Sequence, residues 1–199
     1  MKLSTSLKSV STLIISTLLL CSSFFLSGCS ALVVGGAAAT ASVVVDKRTA
    51  GDMVEDKSIK IKFNHELYSN HDLDKDTHIN MISYNGWILL TGEVDSEETK
   101  DLVNNIALNI KNVKRVFNEL EIRKPSSLQS RANDAYLASK IQLKLLALLP
   151  DYFYHTTIVV ENKTVYLMGL LTTKESDSVI NIVKNINGIN KIVKLFDYQ

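Results

Sequence analysis

Trp87-Ile88-Leu89-Leu90-Thr91-Gly92-Glu93-Val94 and Thr164-Val165-Tyr166-Leu167-Met168-Gly169-Leu170-Leu171 are two versions of one β-rich run, each with a glycine at its sixth position. After a shift of about one position, Lys111-Asn112-Val113-Lys114-Arg115-Val116 lines up with Asn187-Gly188-Ile189-Asn190-Lys191-Ile192. Repetition at so long a period means duplicated small domains and not a solenoid of short units.

Each copy reads helix, strand, strand, helix, strand. In the first, Ile59, Phe63 and Leu67 recur at four-residue steps and mark one helical face. His78 to Tyr84 and Trp87 to Val94 are strands joined by Asn85-Gly86, a tight-hairpin signal because both residues tolerate positive φ. Ser96, followed by Glu97-Glu98, opens a helix: the serine caps it and the carboxylates suit its positive end. Val103, Ile106 and Ile110 supply its apolar stripe, and Val113 to Ile122 is the closing strand. The second copy predicts a helix over Asn133 to Leu149, strands near Tyr154 to Val160 and Thr164 to Leu171, a helix over Lys174 to Asn187, and a strand over Lys191 to Tyr198.

A helical crossover between the second and third strands makes those two parallel, with the first strand antiparallel beside them. The fold class expected is therefore α+β: two tandem αββαβ units, each a three-stranded mixed sheet packed by two helices. The boundaries read as 52–124 for the first unit and 131–199 for the second. Residues 125–130, opening Pro125-Ser126-Ser127, form the linker. Units of this size have thin cores, so docking on each other would help both.

The N-terminus carries a different message. Lys2 and Lys8 precede an apolar run from Leu13 to Leu26, and Leu26-Ser27-Gly28-Cys29 ends it. That is the layout of an export signal, and the four residues resemble the lipobox of bacterial lipoproteins. The resemblance implies cleavage of residues 1–28, covalent lipid on Cys29, and a tether over 29–51. Several acyl chains on one cysteine anchor stably where one would not. Ser30 follows the cysteine where Asp would mark inner-membrane retention in sorted lipoproteins, so the outer membrane is expected. Ala31 to Val45 is too short and small-residued for a membrane-spanning helix.

Composition closes other routes. Cys21 leaves with the signal and Cys29 is used for lipid, so no disulfide or thiolate metal site is available within the chain. The mature chain has 20 basic and 21 acidic residues, which argues against nucleic acid as a partner. Asp72-x-Asp74-x-Asp76 opens like a Ca²⁺ loop, but Thr77 stands where glycine is needed and Ser83 where glutamate is needed. His65, His71 and His78 lack close metal spacing, and His155 is distant, so all four are read as surface or strand residues and no metal is expected. No nucleophile–base order, phosphate loop or paired-carboxylate site stands out. The protein is expected to be non-enzymatic, with no cofactor beyond the lipid on Cys29.

The two units differ in charge: 10 basic and 14 acidic residues over 52–124, against 8 and 6 over 131–199. Their first helices differ too. At about 100° per residue, Leu137, Ile141, Leu145 and Leu148 form the expected core face of the second unit's helix. Tyr136, Leu143 and Ala147 form a second stripe on the opposite side, edged by Lys140 and Lys144. The matching side of the first unit's helix shows Lys60, Asn64 and His65, with Ile61 as its apolar residue. A lysine-edged apolar strip suits a helix lying in the lipid interface. It equally suits a helix buried against the other unit.

The glycine late in the second strand and the Gly-Ile turn before the last strand resemble the BON domain, a small bacterial envelope module. Gly92, Gly169 and Gly188-Ile189 match its pattern, while Lys111-Asn112-Val113 lacks the expected glycine. Two copies behind a lipobox, with Asp46 to Gly51, Ala132 to Tyr136 and Glu161 to Leu170, resemble dual-BON-domain outer-membrane lipoproteins. The resemblance implies that the first helix of the second domain binds anionic phospholipid through Tyr136, Lys140, Leu143, Lys144 and Ala147, in support of outer-membrane integrity. The alternative is a periplasmic adaptor that holds outer-membrane assembly proteins.

Overall fold

The computed structural model describes residues 46–69 and 77–199. The export signal, Cys29, most of the tether, His71 and the Asp72–Asp76 loop lie outside the described residues. The described residues form one compact unit. Its elements are α1 (Ala50–Ser69), β1 (His78–Tyr84), β2 (Trp87–Val94), α2 (Glu97–Leu108), β3 (Arg115–Ile122), α3 (Leu128–Leu148), the single turn α4 (Pro150–Phe153), β4 (Thr156–Glu161), β5 (Thr164–Leu171), α5 (Thr173–Val183) and β6 (Lys191–Tyr198).

Two three-stranded sheets result, in the orders β1-β2-β3 and β4-β5-β6. In each, the hairpin pair is antiparallel and the pair bridged by a helix is parallel. This is the mixed α+β topology expected of both units. Local chemistry fixes the pieces. Asn85 and Gly86 sit at φ 53° and 76°, and Asn162 and Lys163 at φ 48° and 60°, so both hairpins turn with two left-handed residues. Ser96 caps α2 by accepting from the Thr99 amide, and Thr172 with Glu175 forms a reciprocal capping box on α5.

Each hairpin is also held by a buried aspartate on the preceding helix. Asp56 of α1 accepts from the amides of Asn85 and Gly86, and from Ser83 Oγ at 2.6 Å. Asp134 of α3 accepts from the amides of Asn162 and Lys163, both at 2.9 Å. An aspartate mid-helix normally weakens the helix. Here it satisfies two turn amides that face inward, and so locks helix to hairpin.

Several element ends differ from the sequence expectation. α3 begins at Leu128, inside the stretch read as linker, because Ser127 caps it by accepting from the Ser130 amide. α5 stops at Val183, and turns carry the chain to Gly188 at φ 103°. β3 begins at Arg115, since Asn112 is left-handed at φ 71° and the Val113 amide still bonds back to Ile110. Asn112 therefore takes the backbone role of Gly188; asparagine is among the few residues that tolerate it.

Helices cover one face of each sheet. Ile59, Phe63 and Leu67 of α1 and Val103 and Ala107 of α2 pack on Ile88, Leu90, Val94 and Leu120. Leu137, Ile141 and Leu145 of α3 and Val179 and Val183 of α5 pack on Val165, Leu167, Leu171 and Phe196. The opposite faces of the two sheets meet: Tyr84 and Leu89 of the first share a third core with Tyr166, Met168, Leu170 and Leu195 of the second. β2 and β5 are buried along almost their whole length for this reason, one side under helices and the other under the facing sheet.

Candidate functional site

α3 is about 30 Å long at 1.5 Å per residue, and its inner line is Asp134, Leu137, Ile141 and Leu145. Leu148, expected on that line, is instead 58% exposed. The four-residue step from Leu145 reaches Leu149, whose backbone at φ −140° leaves the helix and turns its side chain onto the core. The outer face carries the second stripe. Tyr136 is 71% and Leu143 68% exposed, and Lys140, Lys144 and Ala147 are exposed beside them. The sheets, not this helix, supply the contact between the two units, so the stripe is not consumed by domain docking. Leu128, Leu146 and Leu148 widen the apolar surface.

The charge pattern sharpens the contrast. α3 carries Arg131, Lys140 and Lys144, and its one acid, Asp134, is buried at the hairpin. On α1, Lys57, Lys60 and Lys62 are offset by Asp52, Glu55 and Glu66. The apolar contrast, however, is smaller than the sequence comparison expected. Val54 and Tyr68 join Ile61 as exposed residues, spaced seven apart on one line opposite Ile59 and Phe63. The comparison of α1 with α3 at Ile61 alone missed them because a seven-residue step returns within about 20° of the same direction.

The domain junction holds the polar groups that sequence reasoning did not bring together. Tyr84 Oη donates to the His155 carbonyl at 3.2 Å, and Asn85 Nδ2 to Asp197 at 3.2 Å. Burial pushes the Tyr84 hydroxyl up to about 12. Asp46, Lys47 and Arg48, read as the end of the tether, are fixed to this junction. Lys47 pairs with Glu175 at 2.8 Å, and its amide donates to His155 Nδ1. Arg48 pairs with Asp46 and Asp56 and lies over the Tyr84 ring at 4.0 Å. The described part of the chain thus enters the fold across both domains.

At another point of the junction, His78 Nδ1 lies 3.2 Å from Glu93 Oε2 and 3.9 Å from Glu161 Oε1. Glu93 is 1% and Glu161 8% exposed. Arg123 pairs with Glu93 Oε1 at 3.3 Å, the Ser126 amide and hydroxyl each donate to Glu93 Oε2 at 3.2 Å, and Asn80 Nδ2 donates to Glu161 Oε2 at 3.0 Å. Burial raises the Glu161 carboxyl above its usual range, against the lowering pull of Asn80 and His78. The hairpin register set by Asn85-Gly86 already pairs His78 with Glu93, but histidine spacing could not reveal Glu161, which comes from the end of β4 in the other domain. His65 is exposed on α1, as expected of a surface residue.

No described helix is long and apolar enough to cross a membrane. The chain is 29% identical over 181 residues to the outer membrane lipoprotein DolP of Haemophilus influenzae, covering 91% of this chain and 94% of that one. It is 27% identical to a 21 kDa hemolysin of Actinobacillus pleuropneumoniae, covering 77% and 79% of the two chains. With the osmotically-inducible protein Y of Escherichia coli it shares 26% identity, over 71% and 72%. The BON domain model matches twice, at residues 55–124 and 133–199, in register with the two αββαβ units. Duplicated sequence, duplicated topology and two family matches agree, and the chain belongs to the BON domain family, with two such domains in tandem.

Proposed function

We propose that this protein is a non-enzymatic outer-membrane lipoprotein, anchored through lipid on Cys29 on the periplasmic side. Its second domain touches anionic phospholipid with the outer face of α3, in support of outer-membrane integrity. The observation that carries the reading is that face itself: Tyr136 and Leu143 exposed, Lys140 and Lys144 beside them, and no exposed acid along the helix. A tyrosine ring suits headgroup depth. Lysine stems lie along apolar surface while their ammonium groups reach phosphate, each contributing about 1 kcal/mol near an anionic surface. The similarity to the outer membrane lipoprotein DolP of Haemophilus influenzae and the lipobox-like Leu26-Ser27-Gly28-Cys29 support the anchor.

Flotation of a soluble fragment starting after Cys29, with vesicles of neutral lipid and of neutral plus anionic lipid, tests the contact. Binding that requires anionic lipid supports it; absence of binding to either vesicle refutes it. Cys29→Ser should leave an unacylated precursor, and an acylated protein in the outer membrane would end the anchor reading. A second reading, a periplasmic adaptor for outer-membrane assembly proteins, is favoured by Val54, Ile61 and Tyr68, an exposed apolar line on a helix with balanced charge.

A further inference from the structure

We propose that His78, Glu93 and Glu161 form a binding site for a divalent transition-metal ion of the zinc class, which clamps the two BON domains together. The site draws an imidazole and a carboxylate from the first domain and a carboxylate from the second, with all three ligand atoms within 4.8 Å of one another. Ligands about 2.0–2.1 Å from a tetrahedral ion stand about 3.3 Å apart. His78 Nδ1 and Glu93 Oε2, at 3.2 Å, already have that spacing, and Glu161 Oε1 at 3.9 Å from Nδ1 needs a small closing movement.

The environment argues independently for a cation. Glu161 is nine-tenths buried, and its Oε1 faces His78 and Glu93. Arg123 offsets one carboxylate from the far side, on Glu93 Oε1, while Oε2, which also accepts from the Ser126 amide and hydroxyl, is turned toward the ring. Asn80 holds Glu161 Oε2 at 3.0 Å and lies 3.4 Å from His78 Nε2, so one amide braces two ligands from behind. Outer partners of this kind orient ligands and tune metal affinity. A nitrogen with two carboxylate oxygens suits zinc, cobalt or nickel, whereas calcium and magnesium call for six or more oxygens.

The test uses the full chain purified in detergent. Zn²⁺ binding is followed by titration calorimetry, Co²⁺ binding by its visible absorption, and domain clamping by the Tm with and without metal. Saturable one-to-one binding is expected, with Tm raised by at least about 5 °C at a hundredfold excess over Kd. His78→Gln and Glu161→Gln should each lose the Co²⁺ spectrum and the Tm rise, while their metal-free Tm and circular dichroism show a folded chain. A wild-type chain with no saturable binding, or variants that bind and are stabilised as the wild type is, would overturn the site. Stabilisation by Ca²⁺ or Mg²⁺ in place of Zn²⁺ would overturn the assigned metal class.

Discussion

Leu143→Glu separates the proposed lipid contact from every structural role of α3. The side chain is 68% exposed, and the inner line of Asp134, Leu137, Ile141 and Leu145 does not include it. Leucine and glutamate have similar helix propensities, so stability should change by less than about 0.5 kcal/mol. Inserting a whole leucine side chain into an apolar phase contributes about 2 kcal/mol, and the exposed two-thirds about 1.5. A carboxylate facing anionic headgroups adds about 1 kcal/mol of repulsion. The combined loss of about 2.5 kcal/mol corresponds to a roughly 60-fold weaker partition onto anionic vesicles. Vesicle flotation over a lipid titration reads the partition, and thermal melting reads the fold. Ile61→Glu is the matched change on α1, where Asp52, Glu55 and Glu66 already offset the lysines; it should shift the partition by less than about twofold. Equal losses in both variants, or unfolding of Leu143→Glu, would refute the assignment of this face to lipid.

Gly92→Ala and Gly169→Ala should each cost more than ~2 kcal/mol in urea unfolding. An added Cβ would run into the His78 carbonyl at Gly92 and the His155 carbonyl at Gly169. Gly92 is also at φ 115°, a backbone region for glycine, so its variant should be the worse of the two; unchanged midpoints would show the contact is soft. Asp134→Ala strips the amides of Asn162 and Lys163 of their acceptor and should cost ~1–3 kcal/mol, while anionic-lipid binding per folded molecule stays intact. A Tm equal to that of the wild type would mean that water replaces the carboxylate freely. Burial first, and the Lys47 ammonium second, hold the His155 imidazole below its usual range, against the pull of Asp46 and Glu175. The unfolded chain then takes up that proton before the folded one, so stability is greatest above pH ~6.5 and falls as pH drops toward 5. His155→Gln should flatten this slope in denaturant unfolding across pH 7 to 5, and an unaltered slope would remove His155 as its source. Glu161, raised above 4.5, works in the opposite sense, its cost being relieved as pH falls through its folded value.

Asp46, Lys47 and Arg48 join the start of the described chain to both domains. The Lys47–Glu175 pair ties this entry to the second domain, and the Arg48–Asp56 pair ties it to α1 of the first. Arg48 over the Tyr84 ring adds a further contact at the same place.

Periodicity and turn chemistry made most of the architecture legible in the chain. Four-residue steps of Ile59, Phe63 and Leu67 gave α1 its inner face, Asn85-Gly86 gave the first hairpin, and Ser96 gave the start of α2, because each depends on residues only a few positions apart. The duplication then carried the topology from one unit to the other. Tertiary structure decided what local pattern could not. Leu148 and Leu149 are neighbours, and only the break at the end of α3 turned one to solvent and the other to the core. Asp56 and Asp134 look like ordinary surface acids until a hairpin far along the chain brings its amides against them. His78 and Glu93 face each other across the hairpin that Asn85-Gly86 sets, but two sheets had to meet face to face before Glu161 shared their space. Likewise, the outer stripe of α3 was ambiguous in sequence, since amphipathicity says that a face is apolar and not what covers it. Sheet-to-sheet docking, driven by the apolar undersides of β2 and β5, left that stripe exposed.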